Sequence, residues 1–515
     1  MLILKSMSLK KNNSIVIEFF ASTIAITAGF LSWVSRWGFD SNFPLIVKSI
    51  LIALFLFLTP HLFTTWINEK EKSTWYLSKP LFFLYTFLFL LGLGKISILL
   101  DLDISILVSV AGLIVLVRVM KDFTLRNNYR NTILLSAIFL VFGIWSTSAH
   151  TWANYYHPLM KEKIIAGAWA HREIIWHASM AGMYKTYGVI STGLDGLVPI
   201  YYHNFGHLVY GLMSGLLTID TNTFLNICVP IIFVPLFFYT FILSAQTISV
   251  FFGIKFIEND YKVWVIVLSM FALPLPLRLL PETYHYINSP SYSTALILMF
   301  LFISINFLFF RSKQENNVSV LTKEDVYFVS LLILLYFFTA FSKISFLYIL
   351  GTTYAFILYR LKLYNSSLGV SLILGLTLVA ILMYFRTIVP LQDYPNLAFN
   401  ESGGPILPGF ERLSYYLSEL RRYSFYIYPS FIYIVLKLRI LGIKSIASII
   451  KLLRSRKIID IELLVFLMLL SFIPPYDYFK GIQIYVAYLL ILSHLELFHS
   501  HLFDKKEVVI KSPIS

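Results

Sequence analysis

Runs of about twenty apolar residues recur along the whole chain, separated by short loops that are often basic. A helix needs about 20 such residues to cross a hydrocarbon core about 30 Å thick. Backbone N–H and C=O groups find no water there, so each run must satisfy them internally as a helix. This restricts the chain to an all-α polytopic membrane protein. Composition agrees, since 58% of the 515 residues are hydrophobic and 13% are charged, against roughly 45–50% and 25% in a soluble domain. Candidate spans fall near 14–34, 43–63, 80–100, 103–120, 132–149, 223–250, 261–281, 293–311, 325–342, 345–360, 368–389, 423–440, 461–474 and 480–498. The two runs within 325–360 also read as one long helix. Lys10 and Lys11 precede the first run, which is long and lacks a cleavage site, so it reads as a transmembrane helix.

Fourteen spans put both termini on one side. The segments then facing the cytoplasm are 1–13, 64–79, 118–131, 251–262, 311–324, 360–367, 437–460 and 499–515. They hold 27 of the 41 Lys and Arg, as the positive-inside rule expects. The net charge of +14 is thus explained by membrane topology, and no nucleic-acid partner is expected. Residues 203–218 are apolar enough to be a span. Counting them would invert every later loop and place the basic run Lys451 to Lys457 outside. They are therefore expected to lie in the outer leaflet or to re-enter from it. Cys228 is the single cysteine, so no internal disulfide forms.

The cytoplasmic loops carry no Gly-rich phosphate motif and none is long enough for a nucleotide-binding domain. Residues 441–460 read as a basic amphipathic surface helix. Polar chemistry gathers on the other side. Residues 150–222 hold His150, His157, His171, His177, His203 and His207, six of the eleven histidines. Loop 282–292 follows Arg278, and loop 390–422 contains Arg412. In AHREIIWHASMAGMYKTYGVISTGLDGLVPIYYHNFGHLVYGLMSGL, residues 170–216, the first part reads as a helix with Glu173 and His177 on one face. A turn-rich crossing with Asp195 follows, and Tyr202, His203 and His207 open the next helix.

Each feature has a plainer reading. Glu173 pairs equally well with a neighbouring cation such as Arg172 or Lys185, and a single histidine is more often an interfacial residue with satisfied hydrogen bonds. The histidine pairs 171/177 and 203/207 lack a clear third ligand, so no metal is expected. Asp101 and Asp103 read as a polar turn, and Lys48 and Lys95 as lysines reaching the interface.

The segment E-I-I-W-H, followed by YKTYG, STGLDG and YYHNFGH, resembles the first external loop of GT-C class glycosyltransferases. These are polytopic enzymes that take sugars from polyprenyl-phosphate or related lipid-linked donors. The resemblance covers roughly 132–310. It implies an N-terminal four-helix extension at 1–131, a GT-C-like core at 132–389 and a C-terminal transmembrane region at 390–515. It implies a plasma-membrane enzyme using a polyprenyl-phosphate-linked sugar and a glycan or lipid acceptor, without a cofactor. Glu173 would be the base, with His177 orienting it or the acceptor. Arg172, Arg278, Lys343 and Arg412 would supply positive charge for the departing phosphate. Asp195, Tyr202, His203 and His207 would line the substrate pocket. A transporter or flippase, a glycan polymerase or ligase, and a non-catalytic assembly protein stand as alternatives. Transport would need charge within the bilayer, and mid-span charge is sparse in this sequence.

Overall fold

The computed structural model describes residues 43–70, 78–122, 172–191, 193, 200, 204–254, 290–316, 322–343, 345–360, 366–383, 385, 428–443, 458–470 and 479–498. Nearly all of them are helical, and no strand forms among them. We label the helices α1 (Phe43–Lys70), α2 (Lys79–Leu100), α3 (Ser105–Asp122), α4 (Arg172–Tyr187), α5 (Phe205–Leu216), α6 (Val229–Phe251), α7 (Pro290–Asn316), α8 (Lys323–Ser342), α9 (Ser345–Arg360), α10 (Ser367–Met383), α11 (428–440), α12 (Ile459–Leu470) and α13 (Phe479–Ser493). The expected spans at 14–34, 132–149 and 261–281 lie outside the described residues.

Five of these helices are long and apolar enough to cross a membrane. They occupy Phe43–Thr64, Lys79–Leu100, Ile231–Phe251, Ser291–Phe310 and Asp325–Ser342, at five of the expected positions. Large apolar side chains face outward on several helices, among them Leu99, Leu107, Ile114, Leu374 and Phe431. A soluble protein would turn such residues inward, whereas lipid accepts them. The fold is that of an all-α membrane protein.

Local signals fix the helix ends. Pro80 occupies the first turn of α2, where its missing N–H breaks no hydrogen bond. Thr322 opens α8 with a capping box: its hydroxyl accepts from the Asp325 N–H, and the Asp325 carboxylate accepts from the Thr322 N–H at 2.7 Å. Asp101 closes α2 in the left-handed conformation at φ 51°. Asp103 then accepts from the Ser105 N–H and from Lys48 Nζ at 2.8 Å. The D-x-D segment is thus a turn that ties α3 to α1. The run at 325–360 is two helices, because Lys343 between them is extended (φ −154°, ψ 115°).

Helix α5 sits at the centre. Its twelve residues span about 18 Å at 1.5 Å per residue, well short of the hydrocarbon thickness. Every residue in it except the partly buried Leu208 is buried, and α2, α4, α7 and α8 pack around it. Glycines permit the closest approaches. A Cβ on Gly94 would lie 2.3 Å from the Leu212 carbonyl oxygen, and one on Gly211 2.7 Å from that of Ala181. Ser97 Oγ donates to the Gly215 carbonyl at 2.9 Å across the α2–α5 contact. Helices α1 and α2 share one apolar core with α5 to α13.

The α2–α5 contact gives a direct test. Gly94→Ala should destabilise the protein by about 1–3 kcal/mol, the usual result of overpacking, because a helix backbone must move to admit the methyl group. Thermal unfolding of the purified protein in detergent measures this, with Gly92→Ala as the control, since Gly92 has open space around it.

Candidate functional site

The site is built on α4 and α5, the helices of the segment that carries the sequence motifs. Helix α4 lies against α5 and the turn that follows it. The Thr221 hydroxyl donates to the Ala178 carbonyl at 2.7 Å, and Lys185 Nζ donates to the Ile219 carbonyl at 2.7 Å. Lys95 of α2 stands 5.7 Å above the Tyr184 ring. Helix α5 is fixed from its far side. Phe205 stacks on Phe338 of α8 with centroids 4.6 Å apart, and the Tyr210 hydroxyl lies 3.3 Å from the Ser293 hydroxyl of α7.

These contacts bring two histidines together from thirty residues apart. His177 Nδ1 and His207 Nε2 are 2.7 Å apart, and their rings stack at 5.0 Å with 28° between planes. His207 is completely buried and His177 is half-buried. The Trp176 ring lies 5.3 Å from that of His177. Burial pushes His177 down from 6.5 to about 4, and the positive charge of Lys343 pushes in the same direction. Lys343 is buried at the extended break between α8 and α9.

A hydrogen bond between two rings needs one N–H and one lone pair, and His177 is neutral at pH 7. When His177 Nδ1 donates, its Nε2 holds a lone pair that can accept a hydrogen bond from a substrate hydroxyl. When His207 Nε2 donates, His177 Nε2 carries an N–H that can bond to a substrate oxygen. The pair can therefore accept one hydrogen bond from a substrate oxygen or donate one to it, beside the Lys343 charge.

Of the residues expected from sequence, His177, His207 and Lys343 converge here. Glu173 lies on α4 one turn before His177, and Arg172 is the first residue of that helix. Asp195, Tyr202, His203, Arg278 and Arg412 lie outside the described residues. The bond between His177 and His207 joins one member of each histidine pair read from sequence, 171/177 and 203/207, whose other members lie outside the described residues. Helical spacing reveals neighbours on one helix, but not a meeting between two. Among the described residues no group of three or more His, Cys, Asp or Glu side chains is placed to hold a metal.

No protein-family model matches the chain, and neither a curated protein nor a solved structure matches it. The site therefore stands on its own geometry.

The low pKa of His177 has a consequence for stability. Between pH 6.5 and about 4 an unfolded histidine is protonated while His177 in the fold is not. The unfolded chain then binds more protons, so stability rises with pH across this window. The contribution is complete above pH 6.5 and is lost as pH falls towards 4. Thermal unfolding at a series of pH values should show a shallower acid decline for His177→Phe than for wild type. Equal slopes would mean that His177 is not held neutral.

Proposed function

We propose that the chain is a GT-C-type membrane glycosyltransferase that moves a sugar from a lipid-phosphate donor to an envelope glycan or lipid acceptor at the outer face. The fourteen-span topology with both termini in the cytoplasm belongs to this proposal. The observation that carries it is the hydrogen bond between neutral His177 and buried His207, beside buried Lys343, with Glu173 on the same helix as His177. Sugar transfer from a lipid phosphate needs a proton acceptor and a cation close together, shielded from water.

In this reading the acceptor hydroxyl attacks the anomeric carbon while the bond from that carbon to the phosphate oxygen breaks. The hydroxyl proton passes to Glu173. The histidine pair fixes the acceptor oxygen or takes part in moving that proton. Lys343 balances the charge growing on the departing phosphate. The lipid tail stays among the helices, so no soluble donor domain is needed.

One observation favours the transporter alternative. Lys437 and Asp460 form a buried ion pair among the helices, which supplies interior charge that the sequence alone did not reveal. The two readings differ at Glu173. Deleting the gene and restoring it as Glu173→Gln, at membrane levels equal to wild type, should leave lipid-linked donor unused and lower glycan transfer by about 100-fold or more. Full restoration by Glu173→Gln would remove Glu173 as the base and leave the transport and non-catalytic assembly readings ahead.

A further inference from the structure

Helices α6, α7 and α9 run from the histidine site to a second feature. Near the histidines, Ser293 of α7 meets Tyr210, and α9 begins just past Lys343. Thirteen residues further along α7 and eleven past Lys343, roughly 16–20 Å away at 1.5 Å per residue, Asn306 and Tyr354 line a partly open cavity of about 90 Å³. One water needs about 10–15 Å³ by the same measure, so the space is several times larger. Its walls are almost wholly apolar and include Phe251, Met299, Phe302, Leu463 and Leu467.

A polar group breaks this lining. Asp460, 2% exposed, faces the cavity from the start of α12. Its Oδ2 accepts from both Lys437 and Tyr433 of α11. Lys437 Nζ also lies 3.1 Å from His494 Nε2, just past the end of α13. The ion pair is thereby neutralised and held in place. Asp460 Oδ1 has no partner among the described residues, and neither do three other buried atoms on the same cavity: Asn306 Oδ1, Thr353 Oγ1 and the Tyr354 hydroxyl. Asn306 is held by its amide, which donates to the Phe302 carbonyl at 2.7 Å. An unmet buried polar group is costly, so four around one cavity form a polar set ready for a ligand.

We propose that this cavity binds a hydrocarbon chain bearing a neutral, hydrogen-bond-donating head, of the chemical class of a long-chain lipid alcohol. The apolar walls take the chain. The head hydroxyl donates to Asp460 Oδ1 or Asn306 Oδ1 and accepts from Thr353 or Tyr354. A phosphate head is excluded, because it would place an anion against the Asp460 carboxylate while the Lys437 charge is already engaged. This site is separate from the histidine pair and does not rest on the transferase reading.

The test uses hexadecanol carrying a diazirine, added to the full-length protein in lipid nanodiscs and photolysed, with adducts mapped by mass spectrometry. Adducts should fall on cavity residues such as Phe302 and Leu463. Unlabelled hexadecanol should compete at least tenfold better than hexadecane or hexadecyl phosphate. The conservative pair Thr353→Val and Tyr354→Phe, which spares the ion pair, should weaken labelling about tenfold. Ile303→Trp, which fills the cavity, should abolish it while the protein still elutes as wild type. Labelling confined to outward-facing residues such as Leu374, or unchanged in Ile303→Trp, would overturn the proposal. Equal competition by hexadecane would overturn the role of the polar head, and equal competition by hexadecyl phosphate would overturn the exclusion of anions.

Discussion

A short helix inside a membrane protein keeps its place only where other helices cover it. The ends of α5 leave N–H and C=O groups that the helix cannot satisfy itself, and lipid offers nothing in return. In this chain the cover comes from α2, α4, α7 and α8, brought close by Gly94, Gly211 and Gly215. Once α5 is fixed, His207 is fixed and α4 has a surface to lie on. His177 and Glu173 then have positions, and Lys343 at the α8–α9 break comes within electrostatic reach. The candidate site depends on this burial.

Much of this was legible in the sequence, for physical reasons. Apolar runs about as long as the bilayer is thick have one stable conformation, so the positions of α1, α2, α6, α7 and α8 could be read directly. The basic loops kept 203–218 from counting as a span, and its described helix, α5, has twelve residues, all but one of them buried. Lys343 could be placed at a helix junction because a lysine interrupts an otherwise apolar run. Contacts between distant helices were not legible. Periodicity relates residues three or four apart, so it could pair His203 with His207 but not His177 with His207. The tie between Lys437 and Asp460 was hidden for the same reason. Each residue stands at the edge of an apolar run, where a lone charge reads as an interfacial anchor. His494, within the last apolar run, was the signal that could have exposed the cluster, since ionisable residues in such runs usually face a partner or a cavity.

The chain thus keeps polar chemistry at two levels along the same helices. At one, two imidazoles share a hydrogen bond beside a lysine. At the other, a compensated ion pair borders an apolar cavity. At both places buried groups, His207 and the Lys437–Asp460 pair, sit away from solvent, where electrostatic interactions are stronger than in water. Burying an ion pair is rarely a gain in stability over apolar packing.

The central claim is that α5 is a buried element that does not cross the membrane, and cysteine labelling tests it most directly. Cys228 is the only cysteine and is buried, so Cys228→Ser gives a clean background. Single cysteines at Ile200 and Thr218, which bracket α5 along the chain, are then probed in intact cells with a membrane-impermeant maleimide. The account predicts that both react from the same side, while a cysteine at exposed Gly253, beyond α6, reacts only from the other. Labelling of positions 200 and 218 from opposite sides would make α5 a span and contradict the account.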